Sequence, residues 1–131
     1  MTTAYRIQAK DGRGPYRPGF SQVWCDDDFA PGVQPLPTWM EEFGYENVVK
    51  RARRDEQIGS AVRAVGNLDK WFSRAEQERL AALGFFIACI TRVRVLAESE
   101  NQLVIARRVP FCKKYRVIPW NKETPPTEPF G

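Results

Sequence analysis

Glu98-Ser99-Glu100 followed by Gln102 is the group of residues best suited to chemistry. Two carboxylates two positions apart share one face of an extended chain. At a strand edge such a carboxylate can stabilise a developing positive charge, an oxocarbenium ion for example, or orient a hydroxyl. The same residues also read as a polar turn between strands, and surface Glu is common. Arg6 is the second group of interest, standing between Tyr5 and Ile7. Facing solvent it costs nothing; facing a cleft, its planar fork suits a phosphate or a carboxylate. Tyr16, Phe20, Trp24, Trp39, Trp71 and Phe72 either supply a stacking wall for a flat ring or fill a core. Asp26-Asp27-Asp28 lacks the spacing of a calcium loop and reads as a solvated run, so no metal is expected.

Other chemistries are excluded by residue type. The 131-residue chain contains no His. That removes Ser-His-Asp and Cys-His relays, His metal sites and His-based pH switches. There is no GxxxxGK[ST] loop, and Gly12-Arg13-Gly14 does not lead into a helix. Cys25, Cys89 and Cys112 are too dispersed for a CxxC site or a disulfide framework. Met1–Lys10 lacks the apolar segment of a secretory signal, and Leu83–Ile90 is too short to span a bilayer. The expectation is a cytoplasmic protein with reduced thiols that enters no membrane.

The net charge of +4 is unevenly distributed. Residues 1–49 hold four Lys/Arg and seven Asp/Glu, a net of −3. Residues 50–116 hold fifteen and seven, a net of +8. A basic middle attracts polyanions, and it also serves simply as a solvated face. Lys50, Arg51, Arg53, Arg54, Arg107 and Arg108, with Lys113–Arg116, are the candidate contacts to nucleic acid or to a partner.

The elements that must position these groups follow from spacing. Alternation in Thr2–Ala9 predicts a half-buried strand, stopped by the turn Lys10–Pro15. Thr38 with Glu41 marks a helix start, Gly44 its stop, and Glu46–Arg54 a second helix. Ile58–Val65 fits either a weak strand or an extended loop. Asn67–Phe72 predicts a short helix, and Ser73-Arg74-Ala75-Glu76 caps another that ends at Gly84. Phe85–Thr91 is apolar on both faces and so reads as a central strand. Val93–Ala97, Gln102–Arg108 and Lys113–Ile118 read as further strands, with Glu98–Asn101 as a bend. The result is one α+β domain over residues 1–118, with a twisted antiparallel sheet and a Pro-rich tail over 119–131.

Tyr5-Arg6-Ile7, Asp11-Gly12-Arg13-Gly14-Pro15, Pro18-Gly19-Phe20-Ser21, Trp24, Leu68 with Trp71-Phe72, Val95–Ser99 and Gln102-Leu103-Val104 carry a resemblance. Together they resemble a set of small bacterial and phage-borne proteins. That set is similar to the ADP-ribosyltransferase fold, as are some phage anti-CRISPR proteins. The resemblance runs from Ala4 to Pro110 and implies a split antiparallel sheet whose cleft binds NAD. It places Arg6 at the cofactor's phosphate or ribose and an aromatic, among Trp24, Trp71 and Phe72, against nicotinamide. It places Glu98 or Glu100 at the nicotinamide ribose as the glycosidic bond breaks. Glu-x-Glu spacing favours Glu100, with Glu98 serving the acceptor. Glu-Ser-x-x-Gln spacing favours Glu98, with Gln102 beside it, and is preferred. The chain departs from the pattern at its middle motif, where only Ser60 stands.

Three functions follow as expectations. The first is an enzyme that transfers ADP-ribose from NAD to a macromolecule or hydrolyses NAD. The second is a non-catalytic phage or mobile-element protein that inhibits a host complex by binding it. The third is a basic nucleic-acid-binding module.

Overall fold

A 13-residue strand, Phe86–Glu98, organises the molecule. The computed structural model describes residues 2–15 and 38–122. In chain order the elements are β1 (Thr2–Gln8), α1 (Trp39–Phe43), α2 (Tyr45–Val49), β2 (Gln57–Ala61), α3 (Leu68–Trp71), α4 (Arg74–Ala82), β3 (Phe86–Glu98), β4 (Leu103–Arg107) and β5 (Tyr115–Ile118). A 3-10 turn, Val65–Asn67, leads into α3.

The sheet is antiparallel and runs β1-β3-β4-β2, with β5 also paired to β3. The first half of β3 lies between β1 and β5, with Ile7 and Ile118 both opposite Ile87. Its second half pairs with β4, from Arg94 opposite Ala106 to Glu98 opposite Leu103. The sequence predicts two strands here, Phe85–Thr91 and Val93–Ala97. They are one strand, kinked where Arg92 takes a left-handed φ of 57°. The ambiguous Ile58–Val65 segment resolves as β2 because β4 supplies its hydrogen-bonded partner, Gly59 opposite Ile105. One step beyond β2, Val62 exchanges backbone hydrogen bonds with Tyr5 of β1 at 2.8 and 2.9 Å. The sheet therefore curls until its two ends touch.

Strand alternation sorts the core. Ala4, Ala61, Ala88, Ile90, Val93, Leu103, Ile105 and Phe111 pack inside the curl. Ile7, Val62, Ile87, Cys89 and Ile118 face outward under α3 and α4, against Leu68, Phe72, Leu80 and Phe85. Leu96, Val104 and Ala106 face outward beneath α1 and α2, with Val48 between. Fully buried side chains such as Leu80 stabilise by roughly 1.5–3 kcal/mol each.

Helix ends behave as their sequences dictate. Ser73 accepts from the Glu76 amide while the Glu76 carboxylate accepts from the Ser73 amide, a complete capping box. Thr38 accepts from the Glu41 amide at 3.3 Å. Gly84 takes the left-handed φ of 92° that stops the last helix. The second helix is shorter than the expected Glu46–Arg54: α2 ends at Val49, and Lys50–Asp55 turns toward β2. Beyond Ile118, where the tail was expected, Trp120 packs on the outer core and Lys122 pairs with Asp69 at 3.0 Å. Residues 123–131 lie outside the described residues.

Candidate functional site

β1 is bridged to the end of β2 through Tyr5 and Val62, and the two strands separate on one side of that bridge. A cleft of about 390 Å³ opens there, at the lower end of the range for small-molecule sites. Tyr5, Arg6 and Ile7 of β1 form one wall, and Ile58, Gly59, Ser60 and Ala61 of β2 with Val62 beyond it form another. Gly14 and Pro15, the start of α1 from Thr38 to Met40, and Leu68, Trp71 and Phe72 close the rest, with Gln102 at the side.

Arg6 is the unusual member. It lies on the same face of β1 as Ala4 and so points into the curl, where it is 7% exposed. Its guanidinium stacks on Phe111, 4.6 Å from the ring centroid. Neither Nε nor Nη1 has a hydrogen-bond partner among the described residues. Burial pushes its pKa down to about 10. A buried donor with no acceptor is costly, and a buried charge more so.

Two glycines admit it. A Cβ at Gly59 would stand 2.8 Å from the Phe111 ring and 3.1 Å from Arg6 Nη1. A Cβ at Gly14 would stand 3.2 Å from Arg6 Nη2. Phe111 is itself clamped: its amide donates to Gln57 Oε1 at 2.8 Å, and its carbonyl accepts from Gln8 Nε2 at 2.7 Å.

The candidate residues divide between the cleft and elsewhere. Arg6, Trp71, Phe72 and Gln102 line the cleft together. Trp71 Nε1 donates to the Asn101 carbonyl at 2.9 Å, which fixes the ring against the β3–β4 turn. Gln102 Nε2 donates to Glu42 Oε1 at 2.8 Å, and Ser99 Oγ donates to the same oxygen at 2.9 Å. Glu98 does not line the cleft. It is exposed and forms a two-pronged pair with Arg63 at 2.7 and 2.8 Å, which holds its carboxyl below the usual range. Glu100 is exposed and outside the cleft lining as well. Among the described residues lining the cleft there is no carboxylate. Trp24, Tyr16, Phe20, Cys25 and Asp26–Asp28 fall outside the described residues.

The basic candidates also separate. Arg107, expected to contact nucleic acid, is 6% exposed and inaccessible to a partner. Lys50, Arg51, Arg53, Arg54 and Arg108 are exposed, and Arg51 also donates to the Leu96 carbonyl. Sequence reading missed Gly59, Gly14 and Phe111. Gly59 carried a legible clue, since a glycine inside a strand often marks the close approach of another group.

The comparisons decide the family. Residues 1–116 match the family described as Bacteriophage T4 Y00F protein. The chain belongs to that family. No curated protein and no solved structure matches it. Within this phage family, the described residues hold no group of three or more Cys, Asp or Glu placed to bind a metal ion. No described helix is long and apolar enough to cross a membrane.

Proposed function

We propose that this phage-family protein binds a small ligand carrying both an anionic group and a flat ring in the β1–β2 cleft. The observation that carries the proposal is the Arg6 guanidinium, buried beside the cleft with two nitrogens that find no partner among the described residues. An anionic oxygen placed there would satisfy them and offset the cost of burying the charge. Trp71, Phe72 and Trp39 offer the ring a wall. Nucleotides combine the two features. NAD is the member of that class to which the ADP-ribosyltransferase resemblance points, and a cleft beside a first-strand Arg is consistent with it. The lining residues support binding more strongly than glycosyl transfer, because Glu98 and Glu100 stand outside them.

Calorimetric titration with NAD, ADP and inorganic phosphate tests this. Binding of at least one, weakened by tenfold or more in Arg6→Gln, is the expected result, the range of a lost charge-assisted hydrogen bond. No binding of any of the three at millimolar concentration would remove the proposal. NAD consumption that disappears in Glu98→Ala with Glu100→Ala would instead establish the transferase reading.

Membership of a phage family supports a second reading, a non-catalytic module that inhibits a host complex. An affinity pull-down from host lysate, with no stable partner recovered, would count against it.

A further inference from the structure

Arg107 closes the seam where β4 ends and β5 begins along the same edge of β3. Its five hydrogen bonds all go to backbone carbonyls. Nε donates to Val109 at 2.8 Å, Nη1 to Thr91 at 3.2 Å and Lys114 at 3.1 Å, and Nη2 to Pro110 at 3.0 Å and Lys113. Two of those carbonyls adjoin left-handed backbone: Thr91 precedes Arg92 at φ 57°, and Lys114 itself has φ 52°. Such conformations are uncommon outside glycine and persist only where the surroundings enforce them. One buried guanidinium holds the carbonyl at each of these two places.

Two of the residues so held, Lys113 and Lys114, are basic, and Arg92 and Arg108 adjoin two others, Thr91 and Val109. Arg92, Arg108, Lys113 and Lys114 are exposed, and none is ion-paired among the described residues. From Asn101 to Lys122 the chain has no acidic residue. Between these cations the larger apolar side chains are turned in: Phe111 is fully buried and Val109 half-buried.

We propose that this Arg107-stapled face binds the sugar-phosphate backbone of nucleic acid, with Arg92, Arg108, Lys113 and Lys114 as its phosphate contacts. Arg107 is a positioning residue and touches no phosphate. A protein partner is less well matched, because protein interfaces rely on large apolar and aromatic anchors at their centre, and Phe111, the ring between these cations, is fully buried. Phosphate recognition needs only fixed cations. The proposal is independent of the β1–β2 cleft and of any ligand there.

Fluorescence anisotropy with a labelled DNA duplex of arbitrary sequence, titrated over a range of salt, tests it. Four phosphate contacts predict a slope of log K on log salt of about −3 to −4. Lys113→Gln with Lys114→Gln should flatten that slope by roughly 2 and leave the melting temperature unchanged. Arg108→Gln should flatten it by about 1. Arg107→Lys keeps the charge but cannot hold all five carbonyls. It should weaken binding tenfold or more while its circular dichroism stays native. Arg6→Gln should leave the slope as it was. No duplex binding at low salt overturns the proposal. So does a slope the surface variants do not change, or binding to anionic lipid vesicles but not to the duplex.

Discussion

Two buried arginines flank one phenyl ring, and they are opposites. Arg6 lies 4.6 Å and Arg107 6.0 Å from the centroid of Phe111. They are 7% and 6% exposed. Arg107 donates to five backbone carbonyls, whereas two nitrogens of Arg6 have no acceptor among the described residues. Burial lowers the pKa of both. The difference lies in what the backbone around each one offers. Arg107 sits where strands part and carbonyls are left over, so it completes the fold. Arg6 lies on β1 against Gly59 of β2, and the described residues around it offer its Nε and Nη1 no acceptor. One arginine in a core is a staple; the other is the group we propose for binding.

Removing the two should therefore have opposite signs. Arg107→Met strands five carbonyls and frees the β4–β5 connection. It should destabilise by about 3–4 kcal/mol, the scale for breaking a buried network. Urea denaturation would show this as a lowered midpoint at unchanged slope. A midpoint shift under about 1 kcal/mol would mean that the five hydrogen bonds are not what holds the seam.

Arg6→Met replaces an orphan charge with an apolar chain of similar reach. It should stabilise the unliganded protein at neutral pH by about 1–3 kcal/mol. The pH dependence has a definite sign. Arg6 titrates at about 10 when folded and higher when unfolded. Between those values the unfolded chain holds more protons, so the native protein gains stability as pH rises. The advantage of Arg6→Met should accordingly be full at pH 7 and shrink above about pH 10. A saturating anionic ligand should reverse the order, because only the native protein binds it: at 100 times Kd the gain is about 2.7 kcal/mol. An Arg6→Met protein less stable than the native one, without ligand, would return Arg6 to the class of Arg107.

A third buried charge shows what an acidic partner does. The Glu56 side chain, 4% exposed, takes both prongs of Arg94 at 2.9 Å and the Arg53 amide at 2.6 Å. Hydrogen bonds from Arg94 hold its carboxyl at about 2, against the opposing push of burial. The folded pKa is depressed, so the stabilisation is complete above the ordinary carboxylate range. It is lost as pH falls from there toward 2. Glu56→Gln should destabilise by about 1 kcal/mol at pH 7 and by less at pH 3, as read by thermal melts at both values.

Much of the scaffold was legible because its cues are local. The Ser73 box, Gly84 and the two apolar faces of Phe85–Thr91 each act within a few residues. Arg6 was legible as an oddity, a charge in an apolar alternation. Its isolation was not, because that depends on Phe111, some hundred positions away. The same reason hid the fate of Arg107. Beside Arg108 it reads as half of a basic pair, and only the paths of β3 and β5 show that it is enclosed. The β3 kink was read as a break because Thr91 and Arg92 interrupt the apolar run, whereas β4 and β5 supply partners on both sides of it.

The smallest expected effect concerns Glu98, which the family resemblance slightly prefers over Glu100. Glu98 pairs with Arg63, and their side chains are 45% and 51% exposed. Exposed pairs contribute little, since solvent screens them and both side chains give up rotamer freedom to meet. Glu98→Ala should leave the denaturation midpoint within error, at low and at moderate salt. It should also leave nucleotide titrations unchanged, because Glu98 does not line the Arg6 cleft. Glu42 is the better probe of that wall, since its carboxylate holds both Gln102 and Ser99. Glu42→Ala should remove the hydrogen bonds that Gln102 and Ser99 donate to it and weaken ligand binding while Arg6 keeps its burial. If Glu98→Ala alters binding and Glu42→Ala does not, the anion site lies at the Arg63 surface rather than beside Arg6.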